Sequence, residues 1–161
     1  MVSRHLAWIG ALAGTAAGIV GLIAAEILAA VAGQTVDEPY RIAASMIMGE
    51  LALVPNTRTV DVFILGSLLA LLAGAAGGAL FAAVVMRFPA LAATPGTLIL
   101  SSAFYAGLLW LLGLRLLGVL LWPWLARTDP GRQLVAMVLG YGICLGTLLA
   151  LSGVHRPPEL E

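Results

Sequence analysis

Charged side chains are scarce in this sequence. Asp, Glu, Lys and Arg make up only 10% of its 161 residues, whereas soluble domains carry about 25%. Hydrophobic residues reach 61%, and the mean hydropathy is +1.06. This composition requires lipid as part of the solvent. The formal net charge of zero also argues against the strongly basic surface that binds nucleic acid.

Residues that commonly carry chemistry are also few. The single cysteine, Cys144, cannot form an internal disulfide. The two histidines, His5 and His155, lie near the chain ends, so no histidine pair inside the apolar segments can ligate a haem. No carboxylate–histidine cluster has metal-ligand spacing, and the sequence contains no phosphate-binding loop or nucleophile elbow. We therefore expect no catalytic residues, no metal and no cofactor, and we predict a protein that is not an enzyme.

Four long apolar runs occupy most of the chain. They cover residues 6–32, 60–86, 97–121 and 134–154. Each exceeds the roughly 20 residues that a helix needs to cross a hydrocarbon layer of about 30 Å. Backbone polar groups in lipid must be satisfied internally, which favours helices. We predict an all-α bundle of four transmembrane helices in a single integral membrane domain, 1–161. The length of the first run favours an uncleaved span over the alternative, a signal peptide.

A shorter segment, residues 39–54, lies between the first two runs. Ile42, Met46, Gly49 and Leu53 recur in it at helical spacing. The segment is too short to cross the bilayer, so we predict an interfacial or re-entrant helix. Two roles remain open for it, a plug at one end of the bundle and a lid over a cavity.

Rows of small residues indicate how the spans pack. Helices in lipid associate through close backbone contact, which small residues four apart allow. We expect the first, second and fourth spans to pack closely, and the third less closely because its row of small residues is short. The same rows are also compatible with a homodimer or a partner subunit. The predicted packing positions are Gly10, Gly14, Gly18, Gly66, Gly74, Gly78, Gly142 and Gly146.

Two ionisable residues, Glu26 and Arg115, lie well inside the predicted spans. Each is seven residues from the point where its span leaves the bilayer, which places both about 10 Å below the same surface. Matching depth and opposite charge predict a buried ion pair, and Arg41 and Glu50 would border it. Two alternatives remain open: Arg115 reaches a lipid phosphate, or the two residues form a polar site for a proton, an ion or a lipid headgroup.

The charged residues that flank the spans favour two opposite orientations in the membrane, depending on which of them are counted. All eight basic residues are Arg, which together with the abundance of Ala, Leu and Gly is typical of GC-rich bacterial genomes. The count of positive residues slightly favours the side opposite the amino terminus as cytoplasmic, but the charges around the first span favour the reverse. We expect a multi-pass protein of the bacterial cytoplasmic (inner) membrane, with both termini cytoplasmic.

Parts of the second, third and fourth runs are similar to a known group of proteins. These are the YagU-like proteins and their relatives, which are small bacterial four-span membrane proteins of unknown function. The resemblance implies a four-helix membrane protein and no particular activity. The histidine that such proteins often carry in the second or fourth span has no counterpart here. The residues that carry the resemblance are Phe104-Tyr105-Ala106-Gly107, Trp110, Pro123, Gly140-Tyr141-Gly142, Leu145-Gly146 and Phe81-Ala82.

Two functions remain after these exclusions. The first is a non-enzymatic accessory or packing subunit of a membrane assembly, in contact with membrane lipids and with itself or other membrane subunits, and not with nucleic acid. The second is a small transporter or channel-like protein with a polar site at Glu26 and Arg115.

Overall fold

The structure is a computed structural model that describes residues 2–55 and 58–154, with side chains from residue 5 onward. These ranges contain helices and no strand. Within these ranges, four helices are long and apolar enough to cross a membrane. They confirm the predicted all-α four-helix class. His155, one of the two histidines noted near the chain ends, lies outside the described residues. The spans are His5–Val31, Thr59–Arg87, Pro95–Leu121 and Pro130–Leu151.

Helix boundaries follow from local chemistry. The third span begins with a capping box, in which the Oγ1 of Thr94 accepts from the N–H of Thr97 at 3.1 Å and the Oγ1 of Thr97 accepts from the N–H of Thr94 at 2.9 Å. Asp129 caps the fourth span by accepting from two backbone N–H groups. Short 3₁₀ turns, Pro89–Ala92 and Pro123–Arg127, follow the second and third spans, because proline does not continue a regular helix interior.

The third and fourth spans each contain a π-helical stretch. It covers Trp110–Leu117 in the third span and Ala136–Gly142 in the fourth. The remainder of both spans is α-helical. Hydrophobic periodicity alone does not predict these stretches. Segments of π-helix are rare in proteins, and those that occur are often found at functional sites. The third and fourth spans are therefore candidates for carrying a functional site.

A short helix stands between the first two spans, as the sequence predicts. It covers Glu38–Met48 and is followed by a 3₁₀ turn, Glu50–Leu53; together they are called the linker below. Gly49 joins its two parts with φ 81°, a backbone conformation that favours glycine. At eleven residues and about 1.5 Å per residue, the helix is too short to cross a bilayer.

The spans are arranged in the order second, first, fourth and third. The first span packs along the second and also against the fourth, while the third packs mainly against the fourth. The linker lies against the second span. A core of buried side chains joins the four spans, including Ala17, Phe81, Leu98, Leu145 and Leu149. The second and third spans stay apart over most of their length, so the bundle is open on one side.

Glycines of the first and second spans face one another. A methyl group added at Gly10 would lie 2.6 Å from the carbonyl oxygen of Gly78, and one added at Gly14 would lie 2.8 Å from the Cα of Gly78. From the other side, a methyl group on Gly74 would lie 2.7 Å from the Gly14 oxygen. Gly18 is less crowded, since a methyl group added there would lie 3.6 Å from the Cα of Gly74. Backbone therefore meets backbone along this contact, as small-residue rows allow.

The remaining predicted packing glycines have different neighbours from those expected. A methyl group on Gly66 would lie 2.8 Å from the Cα of Tyr40, so this glycine packs against the linker and not against another span. Gly142 and Gly146 of the fourth span face the third. A methyl group added at Gly142 would lie 2.8 Å from the Cα of Ala103, and one added at Gly146 would lie 2.6 Å from the Cα of Ile99. The third span is thus in close backbone contact with the fourth, because the glycines of the fourth span provide the space.

Candidate functional site

Glu26 bonds to the linker and not to Arg115. Its carboxyl group accepts a hydrogen bond from the hydroxyl of Tyr40. Tyr40 is 8% exposed and lies in the first turns of the linker helix. Burial, followed by the hydrogen bond to Glu26, raises the pKa of Tyr40 to about 12, so the phenol keeps its proton at physiological pH. The contact joins the end of the first span to the segment that follows it.

Arg115 bonds to backbone. Its Nη1 donates to the carbonyl oxygen of Leu125 at 3.2 Å, in the 3₁₀ turn that follows the third span. The ion pairs found among the described residues include neither Arg115 nor Glu26. The predicted ion pair is therefore not formed: matching depth does not bring the two side chains together, because each points to the connection next to its own span.

Arg41 lies in the interior of the linker and does not border a site with Arg115. It is 3% exposed, and its Nε donates to Asp37 at 2.7 Å. Its Nη1 donates to the carbonyl oxygens of Ala52 and Val54, at 3.1 and 2.8 Å. Burial raises the pKa of Asp37, but hydrogen bonds from Arg41 and Thr35, together with the positive charge of Arg41, lower it by more and leave that pKa below its usual value. Arg41 thus fastens the linker helix to the turn that follows it.

Ion pairs connect the linker to the turn after the third span and to the start of the fourth span. Glu50 pairs with Arg127, and both side chains are exposed. Glu38 accepts from Arg132 at 2.8 Å, and Arg132 also bonds to Asp129, whose pKa it lowers through that hydrogen bond. These contacts place the linker across one end of the bundle.

Trp124 adds a further contact between the same two segments. Its indole Nε1 donates to the Oγ of Ser45 at 3.1 Å, and Ser45 is fully buried on the linker helix. The tryptophan thereby connects the 3₁₀ turn after the third span to the middle of the linker. Neither residue was singled out from the sequence as a contact. Tryptophan is common at the membrane–water interface, and that preference was the only signal available for it.

The open side of the bundle forms a groove of about 540 Å³ between the second and third spans. Tyr105 crosses it by donating from its hydroxyl to the carbonyl oxygen of Gly77 at 2.9 Å. Its ring lies 4.9 Å from the ring of Phe81. Apart from Ser101 and the Tyr105 hydroxyl, the side chains that line this opening are apolar, including Val84, Phe104 and Leu108.

A second groove, of about 520 Å³, runs between the third and fourth spans. Its walls are apolar and include Phe104, Leu108, Leu134 and Val138. Trp110 is one of the lining residues, and its indole nitrogen is buried and has no hydrogen-bond partner among the described residues. The π-helical stretch of the third span begins at this residue.

Metal chemistry has no support in the described part of the chain, which holds no group of three or more His, Cys, Asp or Glu residues placed to bind an ion. The fold and these contacts define a multi-pass membrane protein with two lateral grooves. Hydrogen bonds and ion pairs hold its linker at one end of the bundle. No family model, curated protein or solved structure matches the chain. The resemblance to YagU-like proteins therefore stays a prediction.

The contact between Glu26 and Tyr40 predicts that their mutational effects are not additive. Glu26→Leu and Tyr40→Phe should each lower the free energy of unfolding, by about 1–3 kcal/mol for a hydrogen bond to a carboxyl group, because leucine offers no acceptor and phenylalanine no donor. The double variant should lose little more than either single variant, because both remove the same bond. Tyr105→Phe is the matched control, since its hydroxyl bonds elsewhere. Denaturation in detergent measures all five proteins, and full additivity of Glu26→Leu with Tyr40→Phe would contradict the contact.

Proposed function

We propose that this protein is a non-enzymatic accessory subunit of a bacterial cytoplasmic-membrane assembly, and that both of its termini face the cytoplasm. The observation that carries the proposal is the open side of the bundle. The second and third spans do not close upon each other, and the groove of about 540 Å³ between them opens into the lipid. The occupant we assign to it is a transmembrane helix, from another subunit or from a second copy of this chain.

The shape of the third span supports this assignment. Leu100, Phe104 and Leu108 recur every four residues and form a ridge beside the groove, with Leu100 and Phe104 about 70% exposed (73% and 69%). Helices pack by fitting such i, i+4 ridges into the grooves of a neighbour. A rigid partner helix that fits this relief gains dispersion contacts, which drive association in lipid.

The rest of the bundle is built to hold that surface in place. The first and second spans are in backbone contact, and the fourth span carries the third on Gly142 and Gly146. The linker ties the chain around the third span to the first half of the molecule through Ser45 and Glu38. A prearranged surface binds more tightly, because less conformational freedom is lost on association.

Site-specific photo-crosslinking in the native membrane tests the proposal. A photoreactive amino acid at Phe104 should give a protein adduct, since this side chain borders the groove. The matched control is Leu12 of the first span, which is exposed to a similar extent (66% against 69%) but does not line the groove. Adducts at Phe104 and not at Leu12 support a docking surface. Equal adducts at both positions, or none at Phe104, would contradict it.

A second candidate, a small transporter, is favoured by one specific observation. Glu26 is an acidic residue inside a span, and ionisable residues there are costly and often functional. Its only described hydrogen-bond partner, Tyr40, belongs to the linker that covers this end of the bundle. If the protein carries protons or cations, reconstituted vesicles should show a flux that Glu26→Gln abolishes. Vesicles with no flux above that of empty ones would remove this candidate.

A further inference from the structure

We infer that the groove between the third and fourth spans is a binding site for one anionic glycerophospholipid. The apolar groove holds an acyl chain, and the indole N–H of Trp110 donates to an ester carbonyl. Arg115 does not line the groove itself; it follows the last lining residues of the third span, Trp110 and Leu111, and holds the phosphate at that end. This groove lies on the other side of the third span from the one assigned to a partner helix, and the two share Leu100, Phe104 and Leu108 as a common wall. The inference does not depend on the partner helix.

The first argument is the charge of Arg115. Its only described hydrogen bond is the one from Nη1 to the carbonyl oxygen of Leu125, and no acidic side chain of the described residues lies within 4.0 Å of it. A guanidinium group has five N–H donors. A cation inside a span is costly unless an anion accompanies it, and a phosphate suits the fork geometry of arginine. The neutral carbonyl of Leu125 orients the side chain towards the membrane surface but leaves its charge uncompensated.

The second argument is the indole of Trp110. A buried donor without an acceptor costs free energy, and the groove that this residue lines is otherwise apolar. Lipid chains offer no acceptor, so the molecule that satisfies this N–H must bring an oxygen of its own into the groove. The ester carbonyl of a glycerophospholipid is such an oxygen.

The third argument is the order of these groups along the span. Trp110 and Arg115 are five residues apart, which in an α-helix would place them about 140° apart around the axis. Both lie in the π-helical stretch, where the i→i+5 hydrogen bond stacks residues five apart on neighbouring turns. Beyond Trp110 the groove continues to Leu100. Cation, donor and apolar groove thus follow one another in the same order as phosphate, ester and acyl chain in the lipid.

Lipid titrations of the purified protein, followed by native mass spectrometry, test the phosphate contact. Phosphatidylglycerol should bind several-fold more tightly than phosphatidylcholine. Arg115→Gln should weaken phosphatidylglycerol binding by at least about tenfold, since hydrogen bonds to charged groups are involved, and should remove the preference over phosphatidylcholine. Arg58→Gln, the same change at an exposed arginine at the start of the second span, should leave binding unchanged. Arg115→Lys keeps the charge and should retain most of the affinity.

The ester contact is tested with Trp110→Phe and an ether-linked phosphatidylglycerol, which has no ester carbonyl. The wild-type protein should bind the ester lipid more tightly than the ether lipid, and Trp110→Phe should remove that difference without affecting the ether lipid. The site assignment fails if Arg115→Gln binds as the wild type does, or if Arg58→Gln weakens binding equally. The Trp110 contact fails if Trp110→Phe weakens the binding of the ester lipid and of the ether lipid equally.

A competition experiment distinguishes the lipid from a free anion. If glycerol phosphate competes as well as the lipid does, the site binds a free anion, and the lipid assignment is overturned.

Discussion

Arg41→Met should lower the free energy of unfolding by at most about 3–5 kcal/mol, the loss typical when one partner of a fully buried ion pair is removed, because the Asp37 side chain is 27% exposed and stays partly solvated. The guanidinium of Arg41 is almost fully buried and bonds to Asp37 and to the carbonyl oxygens of Ala52 and Val54. Methionine fills a similar volume but donates no hydrogen bond. The loss therefore leaves a carboxylate and two carbonyl groups without this donor, and the linker should separate from the bundle first.

Arg127→Met is the matched control for this effect. Arg127 also pairs with an acidic residue of the linker, Glu50, but the two side chains are 76% and 53% exposed. Exposed ion pairs contribute about 0–1 kcal/mol, so this variant should unfold close to the wild type. Chemical denaturation in detergent, together with protease cleavage of the linker, measures both. Equal losses in the two variants would show that Arg41 does not have the structural role assigned to it.

Gly14→Leu should destabilise the bundle by about 1–3 kcal/mol or more, as overpacking does in well-packed cores. Even one methyl group at this position would lie 2.8 Å from the Cα of Gly78. The atom it meets is backbone, which cannot turn aside as a flexible side chain can. The first and second spans would have to move apart along their whole contact.

Gly113→Leu makes the same substitution in another span without that crowding. No atom lies within 4 Å of a methyl group added at Gly113, so the leucine should be accepted at little cost. Thermal unfolding in detergent compares the two variants directly. If Gly14→Leu and Gly113→Leu were equally stable, the backbone contact between the first two spans would not be a source of stability.

The fold could be predicted from the sequence because lipid leaves few alternatives. Long apolar runs in a bilayer must be helices, and their number and approximate bounds follow from hydropathy. The linker helix was predictable for a related reason, since residues such as Ile42 and Met46 recur at helical spacing in a segment too short to span. Glycine rows also indicated where spans touch. They could not say which neighbour each row meets, so Gly66 and Gly142 have different partners from those expected.

The candidate site was less predictable, because sequence gives depth but not direction. Counting residues from the span ends placed Glu26 and Arg115 at the same level, but it contained no information on rotation about each helix or on the order of the spans. The third span lies beside the fourth, and Glu26 bonds to Tyr40 of the linker instead. The π-helical stretch that contains both Trp110 and Arg115 could not be predicted, because hydrophobic periodicity does not distinguish π-helix from α-helix.

The mass of the particle extracted from its native membrane tests the central claim, that the open side of the bundle holds a partner helix. Native mass spectrometry in mild detergent should give a particle heavier than the 16.6 kDa chain by a second subunit, and the added mass distinguishes a foreign subunit from a second copy. Replacing Phe104 with alanine should release that subunit while Leu12→Ala keeps it. A wild-type particle with the mass of a single chain, apart from bound lipid, would contradict the proposed role.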